Sequence, residues 1–168
     1  MSWSSPMRRI AFAGLLLAAG TALCACSFSP VYSSTLASQP MLNLAYAKPA
    51  TRLEQIIYQE LALRFGSSDA ETAPLASVTA TSSAVGIGLS QTANPNKLNR
   101  VTVTATLTVS RRDGTAAEPV SFTRQASADY TTSSQVLADT AAANEAAERA
   151  AKAAAESLRL AVLASLSR

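Results

Sequence analysis

The 168-residue chain contains no histidine and only two cysteines, Cys24 and Cys26, both near its N-terminus. Without histidine, the commonest general base near neutral pH and the commonest transition-metal ligand are missing. No cysteine follows residue 26, so a downstream domain has neither a thiol nucleophile nor an internal disulfide. Serine and threonine are plentiful, yet no Gly-x-Ser-x-Gly or Ser-x-x-Lys motif accompanies them. Glycine is scarce, and Gly86-Ile87-Gly88 lacks the third glycine and the following helix of a phosphate-cradling loop. Three of the acidic residues, Glu145, Glu148 and Glu156, stand late in the chain at ion-pair spacing, the pattern of a solvated helix face. Catalysis is not expected, and no cofactor or metal is implied.

The N-terminus carries a different signal. Arg8 and Arg9 form a short positive patch, and Ile10 to Leu23 is an uncharged apolar run of about 14 residues, short of the roughly 20 that span a bilayer. Small residues follow, completing the order of an export signal that is removed. Before Cys24 stands a bulky Leu23; before Cys26 stand Leu23, Cys24 and Ala25, with leucine at minus three and a small residue at minus one. The second arrangement resembles a bacterial lipoprotein processing site, so residues 1–25 are expected to be cut away and Cys26 to carry lipid. Two or more acyl chains, each buried methylene contributing about 0.8 kcal/mol, would hold the protein at a membrane. Ser27, where aspartate often marks inner-membrane retention, points toward the outer membrane. The precursor carries 14 basic and 11 acidic residues; losing Arg8 and Arg9 leaves 12 and 11, so the net charge falls from +3 to +1. The basic pI owes much to the signal, and nucleic acid is not an expected partner.

Residues 26–40, rich in serine with Pro30 and Pro40, read as a tether, and residues 41–168 as one small domain. Leu42, Leu44 and Tyr46 alternate as a short half-buried strand. A helix is expected over 51–65: Thr51 and Glu54 have capping-box spacing, Leu53, Ile56, Ile57, Leu61 and Phe65 share a face, and Gly66 stops it. Glu60 and Arg64 are spaced for an outer ion pair. Residues 75–90 suggest a strand bulged at Gly86 and Gly88, and 91–99 a loop. The clearest strand follows, with Val101, Val103, Ala105, Leu107 and Val109 on one side and Thr102, Thr104, Thr106, Thr108 and Ser110 on the other. Arg112-Asp113-Gly114 reads as a hairpin turn, the Asp-Gly pair supplying positive φ. A return strand over 119–130 places Val120, Phe122, Ala126, Ala128 and Tyr130 on one face, which Arg124 interrupts.

Residues 140–167 form an alanine-rich helix on propensity alone. Glu145, Glu148, Arg149, Lys152, Glu156 and Arg159 share a stripe opposite Ala143, Ala147, Ala150, Ala154 and Leu158. Glu145 with Arg149, Glu148 with Lys152, and Lys152 with Glu156 are i,i+4 neighbours. Leu160, Leu163 and Leu166 then rotate onto the charged side, so this end must meet a partner or another buried surface. The element order gives an α+β domain, a four-stranded mixed or antiparallel sheet with two helices packed on one face. The threonine face is left either solvated or in contact with a partner or lipid. Lys97 and Arg100 precede the best strand, where cations could meet phosphate groups or serve turn solubility; Arg111, Arg112 and Arg124 fit solubility or edge protection.

Cys26-Ser27-Phe28-Ser29-Pro30-Val31-Tyr32 resembles the Cys-Gly-Phe-x-Pro-x-Tyr start of mature LptE-type proteins, the lipopolysaccharide-assembly lipoproteins of Gram-negative outer membranes. Cysteine, phenylalanine, proline and tyrosine match, and Ser27 replaces the glycine. The element order is similar over nearly the whole mature chain, including Tyr130 at the end of the last strand and the long C-terminal helix. The resemblance implies a non-enzymatic, lipid-anchored outer-membrane protein that faces the periplasm. Such a protein would plug the LptD β-barrel lumen, help it assemble and accept lipopolysaccharide, with Lys97 and Arg100 the nearest candidates for lipopolysaccharide contact. The alternatives are an auxiliary lipoprotein of another envelope lipid transporter, a structural envelope lipoprotein and, with least support, a hydrolase.

Overall fold

The computed structural model describes residues 43–88, 96–115 and 117–166. The signal, Cys26, the tether, Met41, Leu42 and the glycine-distal end of the 75–90 segment lie outside them. Six elements follow in order: β1 (Ala45–Tyr46), α1 (Arg52–Phe65), β2 (Leu75–Gly86), β3 (Lys97–Ser110), β4 (Val120–Thr132) and α2 (Val136–Leu166). The sheet order is β1-β2-β3-β4, with β1 parallel to β2 and the other neighbours antiparallel. The sheet is therefore mixed. Both helices contribute to the core on one face of it, giving the expected α+β architecture.

α1 begins where its sequence says it should. The Thr51 hydroxyl accepts from the Glu54 amide at 3.2 Å, and the Glu54 carboxylate accepts from the Thr51 and Ala50 amides. This reciprocal capping satisfies donors that a helix start otherwise leaves open. Gly66, at φ 75°, ends the helix with its amide donating to the Ala62 carbonyl. Ile57 and Leu61 are buried against the sheet beside Leu44.

The alternation read in β3 is realised along its length: Val101, Val103, Ala105, Leu107 and Val109 are buried, while the intervening threonines are half-buried. Four details differ from the sequence reading. β3 starts at Lys97, taking in residues expected to be loop, because Lys97 to Arg100 find partners at Thr132 to Asp129. No bulge occurs at Gly86: the β2–β3 register runs unbroken from Leu75↔Ser110 to Gly86↔Asn99, and Ile87 N–H continues it to the Leu98 carbonyl. Only Gly114 supplies positive φ at the next turn, while Asp113 holds the turn through its side chain, accepting from the Thr115 amide and hydroxyl. α2 starts four residues early, at Val136, where the Asp139 carboxylate accepts from the Ser133 amide and hydroxyl.

α2 buries Ala146, Ala150, Ala151, Ala154, Ala155, Leu158, Ala161 and Val162, a wider arc than the expected face, because the helix packs on both the sheet and α1. Ala143 and Ala147 are only half-buried. Leu163 is 4 % exposed and belongs to the domain's own core, Leu166 packs partly against it, and Leu160 stays 52 % exposed. The ion pairs also rearrange. Glu145 and Arg149 approach to 3.9 Å as expected, but Glu148 accepts from Arg52 of α1 and Glu156 pairs with Arg159. Lys152 closes no ion pair within 4 Å among the described residues. Glu60 and Arg64 do not close within 4 Å among the described residues; the hydrogen bond from Arg159 holds the Glu156 carboxyl below its usual range, and the charge of Arg64 adds to the effect. Among the described residues no helix is long and apolar enough to cross a membrane.

Two tyrosines join α1 to the sheet. The buried Tyr58 hydroxyl accepts from the Val78 amide at 2.8 Å, and its ring meets Tyr46 edge-on at 5.8 Å. Tyr58→Phe keeps the ring but orphans a buried amide, so chemical unfolding should show a loss of about 1–3 kcal/mol. Tyr46 donates to the Gly66 carbonyl at 3.1 Å, and burial pushes its phenol up to about 12. The fold thus favours neutral Tyr46, a contribution complete below pH ~10 and lost as pH rises toward 12. In an ultraviolet titration, Tyr46→Phe should remove a late-ionising component near pH 12.

Candidate functional site

A strand shows alternate residues to opposite sides, so a sheet with helices on one face must present its other face elsewhere. Here that other face carries hydroxyls. In register across β2, β3 and β4 stand four rows: Ser77–Thr108–Ser121, Thr79–Thr106–Thr123, Thr81–Thr104–Gln125 and Ser83–Thr102–Ser127. Eleven of these twelve side chains are hydroxyls and the twelfth is an amide. With rows about 6.8 Å apart and strands about 4.8 Å apart, the array runs about 20 Å along the strands.

The hydroxyls bond among themselves. Thr102 meets Ser127 at 2.8 Å, Thr106 meets Thr123 at 2.9 Å, and Thr108 meets Ser121 at 3.4 Å. Threonine is branched at Cβ, and cross-strand pairs of this kind hold their rotamers while stabilising the sheet. No described element lies over this face, and its β2 and β4 residues are exposed. It is therefore open to solvent, uncharged and stiffened by cross-strand bonds over these four rows.

The next row is charged. Val85, Arg100 and Asp129 follow in register, and Arg100 grips Asp129 with two bonds, Nε to Oδ1 at 2.6 Å and Nη2 to Oδ2 at 2.9 Å. The guanidinium holds the Asp129 carboxyl below the usual range, and the carboxylate raises Arg100 in turn. Both groups are solvent-exposed. Arg149 of α2 donates to the Asp129 carbonyl at 2.9 Å, tying this row to the helix layer.

Lys97 and Arg100 are not brought together. Three residues apart on one strand, they project to opposite sides: Arg100 shares the hydroxyl face, and Lys97 has the parity of buried Val101. Lys97 is exposed at the strand's first residue, where its carbonyl accepts from Asn99 Nδ2 at 3.3 Å and Thr132 Oγ1 at 3.4 Å. Arg112 ties the hairpin to the preceding loop through the Ala73 and Ala70 carbonyls, and Arg124 bonds the Thr123 carbonyl on the β4 edge. The partnership of Arg100 with Asp129 was not readable in advance, because it depends on the β3–β4 register. An arginine and an aspartate at exposed positions of adjacent strands were the only signal.

On the helix side, an open cleft of about 360 Å³ is lined by Arg52, Leu53, Ser82, Asn144, Ala147 and Glu148. The charges there satisfy each other, Arg52 donating to Glu148 at 2.9 and 2.5 Å. The one carboxylate of the lining, Glu148, is held by Arg52, so the lining suits a side chain or a small polar group better than a reaction.

Known proteins share this architecture. A candidate lipoprotein of Caulobacter crescentus CB15 superposes with a TM-score of 0.54 at 19 % identity, over 76 % of this chain and 93 % of that one. Rare lipoprotein B of Shewanella oneidensis gives 0.55 at 15 % identity, over 73 % and 93 %. A minor lipoprotein of Acinetobacter baumannii gives 0.53 at 17 % identity, over 74 % and 92 %. At these identities the likeness is one of fold. No family model matches the chain, and no curated protein matches its sequence.

Proposed function

We propose that this chain is a non-enzymatic lipoprotein of the outer membrane, anchored through Cys26, which plugs and supports assembly of the LptD β-barrel and aids transfer of lipopolysaccharide to the cell surface. The observation that carries the proposal is the open hydroxyl face. A rigid array of serine and threonine matches a water-filled barrel lumen, whose inward side chains are polar. An apolar face would demand burial in a dry interface, and a strongly charged one would bind counter-ions; this face does neither.

Two further points support the reading. The solved structures that share the fold carry lipoprotein names, in keeping with an anchor at Cys26. The motif from Cys26 to Tyr32 supplies the resemblance to LptE-type proteins. Arg100 stands at one end of the hydroxyl face, where its Asp129 partner could be exchanged for a lipopolysaccharide phosphate; Lys97, on the other side, would reach a different group.

Affinity purification from detergent-solubilised envelopes tests the proposal. Recovery with a large outer-membrane barrel is expected, together with loss of surface lipopolysaccharide when the chain is depleted. Recovery with an inner-membrane permease would instead support an auxiliary lipoprotein of another lipid transporter. The anchor has its own check: Cys26→Ala should abolish acyl labelling and release the chain from the membrane fraction, and a labelled mutant would remove Cys26 as the attachment site.

A further inference from the structure

The sheet has two edges, and the fold treats them differently. Along β4, the carbonyls of Thr123 and Asp129 already accept from Arg124 and Arg149, and Arg124 and Asp129 put charge on the strand. Such features blunt an edge against further pairing. Along β2 nothing of the kind occurs. The strand is uncharged from Leu75 to Gly86, contains no proline and has no bulge.

Hydrogen bonds identify which β2 groups face outward. The Ala76 carbonyl accepts from Ala47 N–H and the Val78 N–H donates to Tyr58, both away from β3, while Ile87 N–H points to Leu98 of β3. Antiparallel pairing alternates these directions, so even-numbered β2 residues turn their backbone groups outward. β1 covers only the Leu75–Ala76 end. From the Val78 carbonyl through Ala80, Ser82, Ala84 and Gly86, the outward groups have no partner among the described residues. The midpoint of this free stretch is Ser82.

We infer that a second copy of this chain pairs with it along β2, antiparallel about a two-fold axis through Ser82. In that register Ala80 faces Ala84 and Val78 faces Gly86, while Thr81 faces Ser83 and Thr79 faces Val85 on the hydroxyl side. No charge opposes a like charge, because β2 carries none. Each central even residue both donates and accepts, so the free groups of one strand satisfy those of the other. The cleft above Ser82 gives room on the helix side for the incoming side chains. The two hydroxyl faces would merge into one continuous surface. This inference does not rest on the barrel reading and describes the chain before it meets any other partner.

The axis makes the test specific. Opposed Cα atoms of a hydrogen-bonded antiparallel pair stand about 5.5 Å apart, within disulfide reach. Ser82→Cys in the processed, lipid-anchored chain, purified in mild detergent and oxidised, should form a covalent homodimer, absent from the unmodified chain and from Ser77→Cys and Thr123→Cys. Sedimentation should show a dimer for the unmodified chain and at least a tenfold weaker one for Ser82→Lys, with unchanged circular dichroism confirming that the variant folds. A monomer without a Ser82 cross-link would overturn the inference. So would equal cross-linking at all three positions, a dimer indifferent to Ser82→Lys, or a Ser82 adduct to a different protein.

Discussion

Thr104→Lys is expected to lower co-recovery of the outer-membrane barrel at least tenfold while leaving the domain folded. Thr104 stands on the central strand between Thr81 and Gln125, in the interior of the hydroxyl array. Its neighbours Thr102 and Thr106 hold cross-strand bonds, to Ser127 and Thr123, but Thr104 itself makes none among the described residues. Its loss therefore breaks no side-chain hydrogen bond, and a surface change of this kind normally shifts stability by no more than about 0.5 kcal/mol. A lysine there raises a charged chain from the middle of an uncharged surface. It would hold an apposed wall away or bury an unpaired ammonium, and a loss of only about 1.4 kcal/mol of binding is tenfold. Thermal unfolding of the purified variant separates the two effects. Undiminished recovery would mean that this face is solvent and that contact lies on the helices.

Leu158→Ala carries the largest expected loss of stability. Leu158 is fully buried in the core cluster on α2, surrounded on its own helix by Ala154, Ala155, Ala161 and Val162. Alanine allows α2 to approach the sheet closely but removes little apolar surface from water, so few large side chains carry the burial on this helix. Removing one of them costs about 2–5 kcal/mol, and stiff alanine neighbours cannot extend to fill the void. A fall in melting temperature of roughly 10 °C is expected. By comparison, the exposed Leu160 one residue away from Arg159 should tolerate alanine with a small change, which calorimetry on the two variants would resolve.

Much of this architecture was legible in the sequence because local physics decided it. The Thr51–Glu54 capping box starts α1, Gly66 ends it, and the period-two pattern of residues 101–110 defines β3 and its two faces. What escaped the reading depends on partners distant in sequence. Lys97 to Arg100 look like loop until β4 pairs with them, and Gly86 suggests a bulge until the register proves continuous. The α2 charges are interchangeable on a helical wheel, so only the nearby α1 shows that Glu148 belongs to Arg52 and not to Lys152. The threonine face and its lack of cover were visible as a pattern; its cross-strand bonds, which depend on the register, were not. The separation of Lys97 from Arg100 follows from extending β3, since three residues in a strand reverse the side where a loop would leave both free.

The central claim is that the hydroxyl face is the surface by which this chain meets an outer-membrane barrel. Photo-crosslinking in cells tests it most directly, with a photoreactive residue placed either at Thr104 or at the exposed Lys152 on the opposite, helical side. An adduct with a large outer-membrane barrel from Thr104, and none from Lys152, is the predicted result. A barrel adduct from Lys152 with none from Thr104, or an inner-membrane permease captured at Thr104, would contradict it.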